Sequence, residues 1–406
     1  MKKVALLVVT LMLIFTLPTM AVTKLTIWEK YDEATQDPYF QSLVDEFNKT
    51  HEDIEVEMLH YNTEDLRENF QNAMMAGEGP DATISPFDHV GVFAVLGIAE
   101  PITDILPQDI KDALVDNALP AMSLDGEMYG VPIDMGNHLM LLYNKKFVKE
   151  PPKTWDELIK IAKKHTKDLD GDGVNDQFGL VYNLTEPFWF IPFMSGHGGW
   201  VMDENRQPTL NTDGVVNAFK FIRDLKFEHK IVPEECDYDI ADSLFKENKA
   251  VFLINGDWSL NGYKAVEGLD FGTAAIPKFK DYEWPKPMMS GNGFIMAEGL
   301  SEEKQEALFE FIRFVLEKEN QVRMVKELSI LPSTKAAREV EFEDPILRGS
   351  IEQLNHTKPM PIVPEMRAIW DALRAPIQNV MNGSATPEDA AKEAQDLAEE
   401  GVGAMH

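Results

Sequence analysis

The chain has a single cysteine, Cys236, in 406 residues. No intrachain disulfide can form, and the fold must stand on packing alone. Nine histidines are scattered without metal-ligand spacing. There is no Gly-x-Ser-x-Gly elbow, no His-Glu-x-x-His helix and no phosphate loop, so the usual marks of a serine hydrolase, a zinc protease or a nucleotide enzyme are absent. Basic residues are few: 38 Lys and Arg against 69 Asp and Glu give a formal charge of −31. Such a surface repels nucleic acid and anionic lipid, and favours a neutral or cationic ligand. Internal repeats and low-complexity tracts are missing. Cys236 lies among Glu234, Glu235 and Asp237, whose carboxylates raise a thiol pKa, so it reads as an inert surface or half-buried thiol.

The first 21 residues stand apart. Lys2 and Lys3 precede the apolar run from Val4 to Leu17, and Pro18-Thr19-Met20-Ala21 follows. This is the pattern of a secretory signal peptide cleaved after Ala21, with a retained anchor as the alternative. Removing it leaves a chain of charge −33 that starts at Val22. No cysteine sits at the break to carry a lipid, and no later stretch is long and apolar enough to span a bilayer. The remaining length is too great for one hydrophobic core, so two domains are expected in a soluble, exported protein.

Strand and helix signals alternate from the start. Leu25-Thr26-Ile27-Trp28 is a strand. Asp37 caps a helix that has Pro38 at its first position and Phe40, Leu43, Val44 and Phe47 on one face. Ile54, Val56 and Met58 alternate with acids, Thr63 opens a second helix, and Asp81-Ala82-Thr83-Ile84 returns to strand. That βαβαβ order predicts a parallel sheet covered by helices. Thr154-Trp155-Asp156-Glu157 reads as a capping box. Amphipathic helices follow around Phe219 and Phe311, with an alanine-rich one after Thr386. Two α/β lobes facing each other across a cleft are the economical architecture, with ligand groups beyond the carboxyl ends of the strands.

Several residues could serve such a cleft. Trp189, Trp258 and Trp370 read as loop tryptophans, and an indole face matches the C–H face of a pyranose; core packing is the alternative. Glu186 sits beside aromatics in Thr185-Glu186-Pro187-Phe188-Trp189, where it could accept sugar hydroxyls or merely open a helix. Asp88 and His89 follow a strand end and could do the same from the other lobe, or cap a loop. Asp168, Asp170, Asp172 and Asp176, with Gly173 at the turn, match the start of a calcium loop. The twelfth position is Gly179 rather than a glutamate, so a structural calcium and a plain acidic turn both stand, remote from the cleft.

Blocks in order across nearly all of the chain resemble the maltose- and maltodextrin-binding proteins of bacterial ABC importers. They include Asn183-Leu184-Thr185-Glu186-Pro187, Ile254-Asn255-Gly256-Asp257-Trp258, Leu142-Tyr143-Asn144-Lys145, Pro151-Pro152-Lys153-Thr154-Trp155 and Pro361-Ile362-Val363-Pro364-Glu365-Met366. The resemblance implies a periplasmic-binding-protein-like fold of type II, with two α/β lobes joined by three hinge strands and closing on sugar. It implies an N-terminal lobe of residues 22–135 and 289–335, and a C-terminal lobe of 136–288 and 336–406. It points to Phe188, Trp258 and Trp370 as stacking residues, and to Asp32, Asp88 and Glu186 as hydroxyl partners, with Arg374 one turn beyond Trp370. Four positions depart from the family pattern: Ser85 replaces a tryptophan, His89 an arginine and Glu33 a lysine, and the hinge around Gly136 lacks a glutamate.

The expected function is capture of a neutral oligosaccharide, maltodextrin or a related α-glucoside, and delivery to membrane permease subunits. The expected protein is a monomer that needs no cofactor and does no chemistry, in the periplasm or at the outer face of the cytoplasmic membrane. Two other classes stand beside it: a secreted glycoside hydrolase using Asp88 and Glu186, and a chemosensory binding protein with the same fold and ligand.

Overall fold

The computed structural model describes residues 22–31, 36–116, 118–280, 282–340 and 343–405. The proposed signal peptide, Asp32 and Glu33 lie outside the described residues. The chain opens with β1 (Thr23–Glu29), α1 (Asp37–Thr50), β2 (Ile54–His60), α2 (Thr63–Ala76), β3 (Ala82–Pro86) and α3 (His89–Val95), and reaches β4 (Gly130–Pro132). It then builds β5 (Leu139–Asn144), α4 (Trp155–His165), β6 (Phe178–Val181), α5 (Pro187–Gly196), α6 (Asp213–Phe227), β7 (Ala250–Gly256) and β8 (Phe271–Ala274). It returns through β9 (Asn292–Met296), α7 (Glu302–Leu316) and α8 (Lys318–Leu328), and ends with α9 (Pro345–Leu354), α10 (Glu365–Met381) and α11 (Pro387–Gly403).

Two sheets result. The first has the order β2-β1-β3-β9-β4, with β1 parallel to both β2 and β3 and β9 antiparallel to its neighbours. The second has the order β8-β5-β7-β6, with β6 and β7 parallel. Every residue of β5 and β7 is buried, which explains their unbroken apolar runs: helices cover both faces of this sheet. Each sheet has its own core. Leu25, Ile27, Phe40, Phe47, Phe70, Ile84 and Phe311 belong to one, and Leu141, Leu180, Phe219, Phe252, Ile369 and Leu373 to the other. The alanines of α11 that face inward, Ala390, Ala391, Ala394 and Ala398, let it lie close on α10. Thr154 and Thr386 cap their helices as read from sequence. Asp37 is instead the first helical residue, with Gln36 at the cap, because Pro38 fixes the turn one place later.

Three chain crossings join the lobes side by side. Residues 133–138 pair with 290–292: Ile133 N donates to Asn292 O at 2.8 Å, and Gly136 and Ser290 exchange both backbone bonds at 3.0 Å. Met135 N donates to Leu331 O at 3.0 Å and so adds the third crossing. Asn137 takes a left-handed turn with φ of 47°, a conformation asparagine tolerates better than most residues.

Candidate functional site

β6 and β7 are parallel, so the segments that leave their carboxyl ends emerge side by side. β7 stops at Gly256, and a tight turn of Asp257–Ser259 presents Trp258. The turn needs glycine: a Cβ on Gly256 would lie 2.0 Å from the Trp258 ring. After β6, Glu186 stands at the cap of α5, and Pro187 starts the helix that carries Phe188 and Trp189. Trp370 comes from the second turn of α10. Phe188 links them, with its ring centroid 6.1 Å from Trp258 and 6.3 Å from Trp370.

Trp189 and Trp370 are therefore helical, not loop residues as read from sequence. The prolines of Glu-Pro and Val-Pro resemble loop punctuation but here stand at helix starts. Trp189 belongs to the same group. It is buried, it meets Trp258 edge to face at 6.1 Å, and its Nε1 donates to Ile254 O at 3.0 Å. Phe188 and Trp258 stay half-buried, while Trp370 is 9 % exposed. Arg374, one turn past Trp370, donates to Glu186 Oε2 at 2.5 Å.

The other lobe contributes from the carboxyl ends of β1 and β3. Asp88 and His89 follow β3 and, with Glu64, Arg67 and Val92, face Val363, Met366, Arg367 and Trp370 across an interlobe cavity. Loss of water, with Glu64 nearby, pushes the Asp88 carboxyl up to about 6. Burial brings the His89 imidazole down to about 3, and its buried Nδ1 has no hydrogen-bond partner among the described residues. The cavity thus joins donors and acceptors to the Trp370 ring, with each lobe supplying part of it.

The sequence reading missed four charged residues here. Glu64, Arg67 and Arg367 line the cavity. Lys30 is half-buried just past β1, close to Asp134, Glu29, Asp257 and Asp88, and burial lowers its pKa. The strand-end rule that selected Asp88 selects Lys30 equally. Arg367 lies one helical turn before Trp370 and was legible by the same spacing as Arg374. At the hinge, the buried Asp257 accepts from Asn137 N at 3.1 Å, and Asp134 accepts from Asn292 N and Nδ2 at 3.0 and 2.9 Å. Desolvation pushes both carboxyls up to about 7.

The acidic loop enters β6 at its amino end, away from the cleft. Oxygens of Asp168, Asp170 and Asp176 lie within 4.8 Å of one another. Asp172 is not among them, and its Oδ1 accepts from Val174 N at 2.8 Å. Asp168 accepts from Gly171 N and Gly173 N at 2.6 and 2.8 Å. Cys236 is more deeply placed than its acidic neighbours suggested: it is 2 % exposed, and burial pushes its thiol up to about 12.

Among the described residues no helix is long and apolar enough to cross a membrane. The chain is 28% identical over 368 residues to a maltotriose-binding protein of Pyrococcus abyssi, covering 88% of this chain and 77% of that one. It is 26% identical over 404 residues to a galactooligosaccharide-binding protein of Bacillus subtilis, covering 95% and 90%. Among solved structures, it resembles the maltose/maltodextrin-binding domain of Bdellovibrio bacteriovorus bound to maltotriose. The TM-score is 0.87 and the identity 38%, over 94% of this chain and all of that one. These relatives are binding proteins, and the hydrolase alternative finds no support in them. Residues 42–348 match the family described as bacterial extracellular solute-binding protein, and the chain belongs to that family.

Proposed function

We propose that the chain captures a neutral maltodextrin, of which maltotriose is the best example, and hands it unchanged to the permease subunits of an ABC importer. One observation carries the reading: Phe188, Trp258 and Trp370 form one aromatic group beside the Glu186–Arg374 pair, and the cavity that Trp370 lines is closed by Asp88 and His89 of the opposite lobe. Sugar faces stack on the rings, and its hydroxyls meet Glu186, Asp88 and His89. The resemblance adds Asp32, which lies outside the described residues, as a further hydroxyl partner. Trp189 holds Trp258 in place from below. Contacts to both lobes make the closed form the loaded form, which the permease then recognises. We assign residues 22–135 and 289–335 to one lobe and 136–288 and 336–406 to the other. The protein acts as a monomer outside the cytoplasm, in the periplasm or at the outer face of the cytoplasmic membrane.

No cofactor takes part in capture. The Asp168, Asp170 and Asp176 oxygens form a stabilising calcium loop: three carboxylates converging on one point suit a hard cation, and a bound ion supported by backbone would stiffen the turn before β6. A chelator should then lower the melting temperature and leave sugar affinity unchanged. An unmoved melting temperature means a plain acidic turn.

A thermal-shift panel of maltodextrins, galacto-oligosaccharides, cellobiose and xylosides tests the main reading. At a hundredfold excess over Kd, ligand stabilises by about 2.7 kcal/mol, a shift of a few degrees. Maltotriose should give the largest shift and be recovered intact. A larger shift with galacto-oligosaccharide would move the assignment to that sugar.

A further inference from the structure

The lobes also meet through charge. Arg367, on α10 of the C-terminal lobe, reaches Glu64, in the first turn of α2 of the N-terminal lobe: its Nη1 lies 3.3 Å from Oε2 and 3.5 Å from Oε1. Each partner is also held within its own lobe. Arg67 donates from Nε and Nη2 to the same Glu64 Oε2, at 3.2 and 3.1 Å, and the Arg67 side chain is only 14% exposed. Arg367 Nε lies 3.5 Å from Asp371, one turn further along α10. All three latch groups line the cavity that holds Asp88, His89 and Trp370.

The geometry points to Glu64 and Arg367 as a closure latch: a cross-cleft ion pair, primed by Arg67, that holds the lobes around bound sugar and sets how slowly the sugar leaves. The inference rests on the sugar-binding reading above. Opening the cleft breaks only the cross-lobe contact, because Glu64 keeps Arg67 and Arg367 keeps Asp371. Neither charge is stranded, so the latch does not trap the closed form. The pair is broken in the open form that the ligand enters, and its loss therefore appears in the off-rate while the on-rate stays as it was. A partly exposed pair of this kind contributes a factor of about two to five. Although these groups line the cavity, the latch assigns them a positioning role, through the geometry of the lobes.

The test is stopped-flow tryptophan fluorescence with maltotriose on the full chain and on Glu64→Gln, Arg367→Met and the double variant. Each single change should raise koff about two- to fivefold with kon unchanged, and the double variant should be no worse than the more affected single. Arg367→Lys should recover part of the loss. Salt from about 0.05 to about 0.5 M should raise koff in the parent chain and leave Arg367→Met unmoved. Unchanged off-rates, or single effects that multiply in the double variant, overturn the latch. A lower melting temperature with an unmoved koff marks a merely structural pair and overturns it too. If the parent chain binds no maltodextrin, the sugar reading has failed and the latch is judged without ligand. Spin labels on the two lobes should then report longer distances in Arg367→Met, and an unchanged distribution overturns the latch.

Discussion

Arg374 donates to Glu186 at 2.5 Å, joining α10 to the cap of α5 although 188 residues separate them. The pair fixes the carboxylate beside Phe188 and leaves its second oxygen for a hydroxyl. Glu186→Gln and Arg374→Ala should each weaken maltotriose binding about tenfold, since hydrogen bonds to charged groups contribute about 1.5–3 kcal/mol. Because the two residues act as a unit, the double variant should bind only slightly worse than either single. Calorimetric titration of the three variants checks both statements.

The aromatic residues should divide by role. Trp258→Ala and Trp370→Ala remove the proposed stacking faces and should each cost about thirtyfold or more in affinity. Trp189→Phe keeps a ring but loses the bond from Nε1 to Ile254 O. It should lower stability by about 1 kcal/mol and change affinity much less. Urea unfolding alongside the titrations separates the two effects.

Gly91 marks how closely the lobes approach. A Cβ there would lie 1.9 Å from the carbonyl oxygen of Ile362, which is backbone and cannot swing aside. Gly91→Ala should fold normally within its own lobe but hold the cleft partly open. Small-angle scattering should show that maltotriose no longer produces the compaction seen in the parent chain, with affinity reduced in step.

Stability should fall as pH rises through neutrality. Asp134 and Asp257, buried at the hinge, are pushed up to about 7 by desolvation, with the nearby Lys30 opposing part of that shift at Asp134. A raised carboxyl contributes stability that is full below its ordinary value and is lost as pH rises through the folded value. His89 and His138 act oppositely: burial holds them at about 3 and about 4, so their contribution is full above about pH 6.5 and fades as pH falls. From about pH 7 upward the histidines are mostly neutral in both states, and the two carboxyls set most of the slope that remains. Calorimetric melting should show a decline over that window, and Asp257→Asn should flatten it.

Much of this was legible in the sequence because the signals are local. Pro38, Thr154 and Thr386 mark helix starts, and the periodicity of Phe40, Leu43, Val44 and Phe47 matches the buried face of α1. The blocks around Glu186, Trp258 and Trp370 gave the cluster. What stayed hidden depends on contacts between distant segments. Nothing in Glu64 or Arg367 alone shows that α2 and α10 meet, and nothing in Asp257 shows that it reaches Asn137 at the hinge. Trp189 and Trp370 were misplaced because proline marks both loops and helix starts. The depth of Cys236 was missed because its immediate neighbours are charged while the fold around them is not.

Titration calorimetry with maltotriose, followed by assay of the recovered sugar, goes straight to whether two lobes share one carbohydrate without altering it. One equivalent should bind per chain, the heat should vanish when Trp258 and Trp370 are both replaced by alanine, and the trisaccharide should come back whole. Appearance of glucose or maltose, or full binding in the doubly substituted chain, would contradict the account.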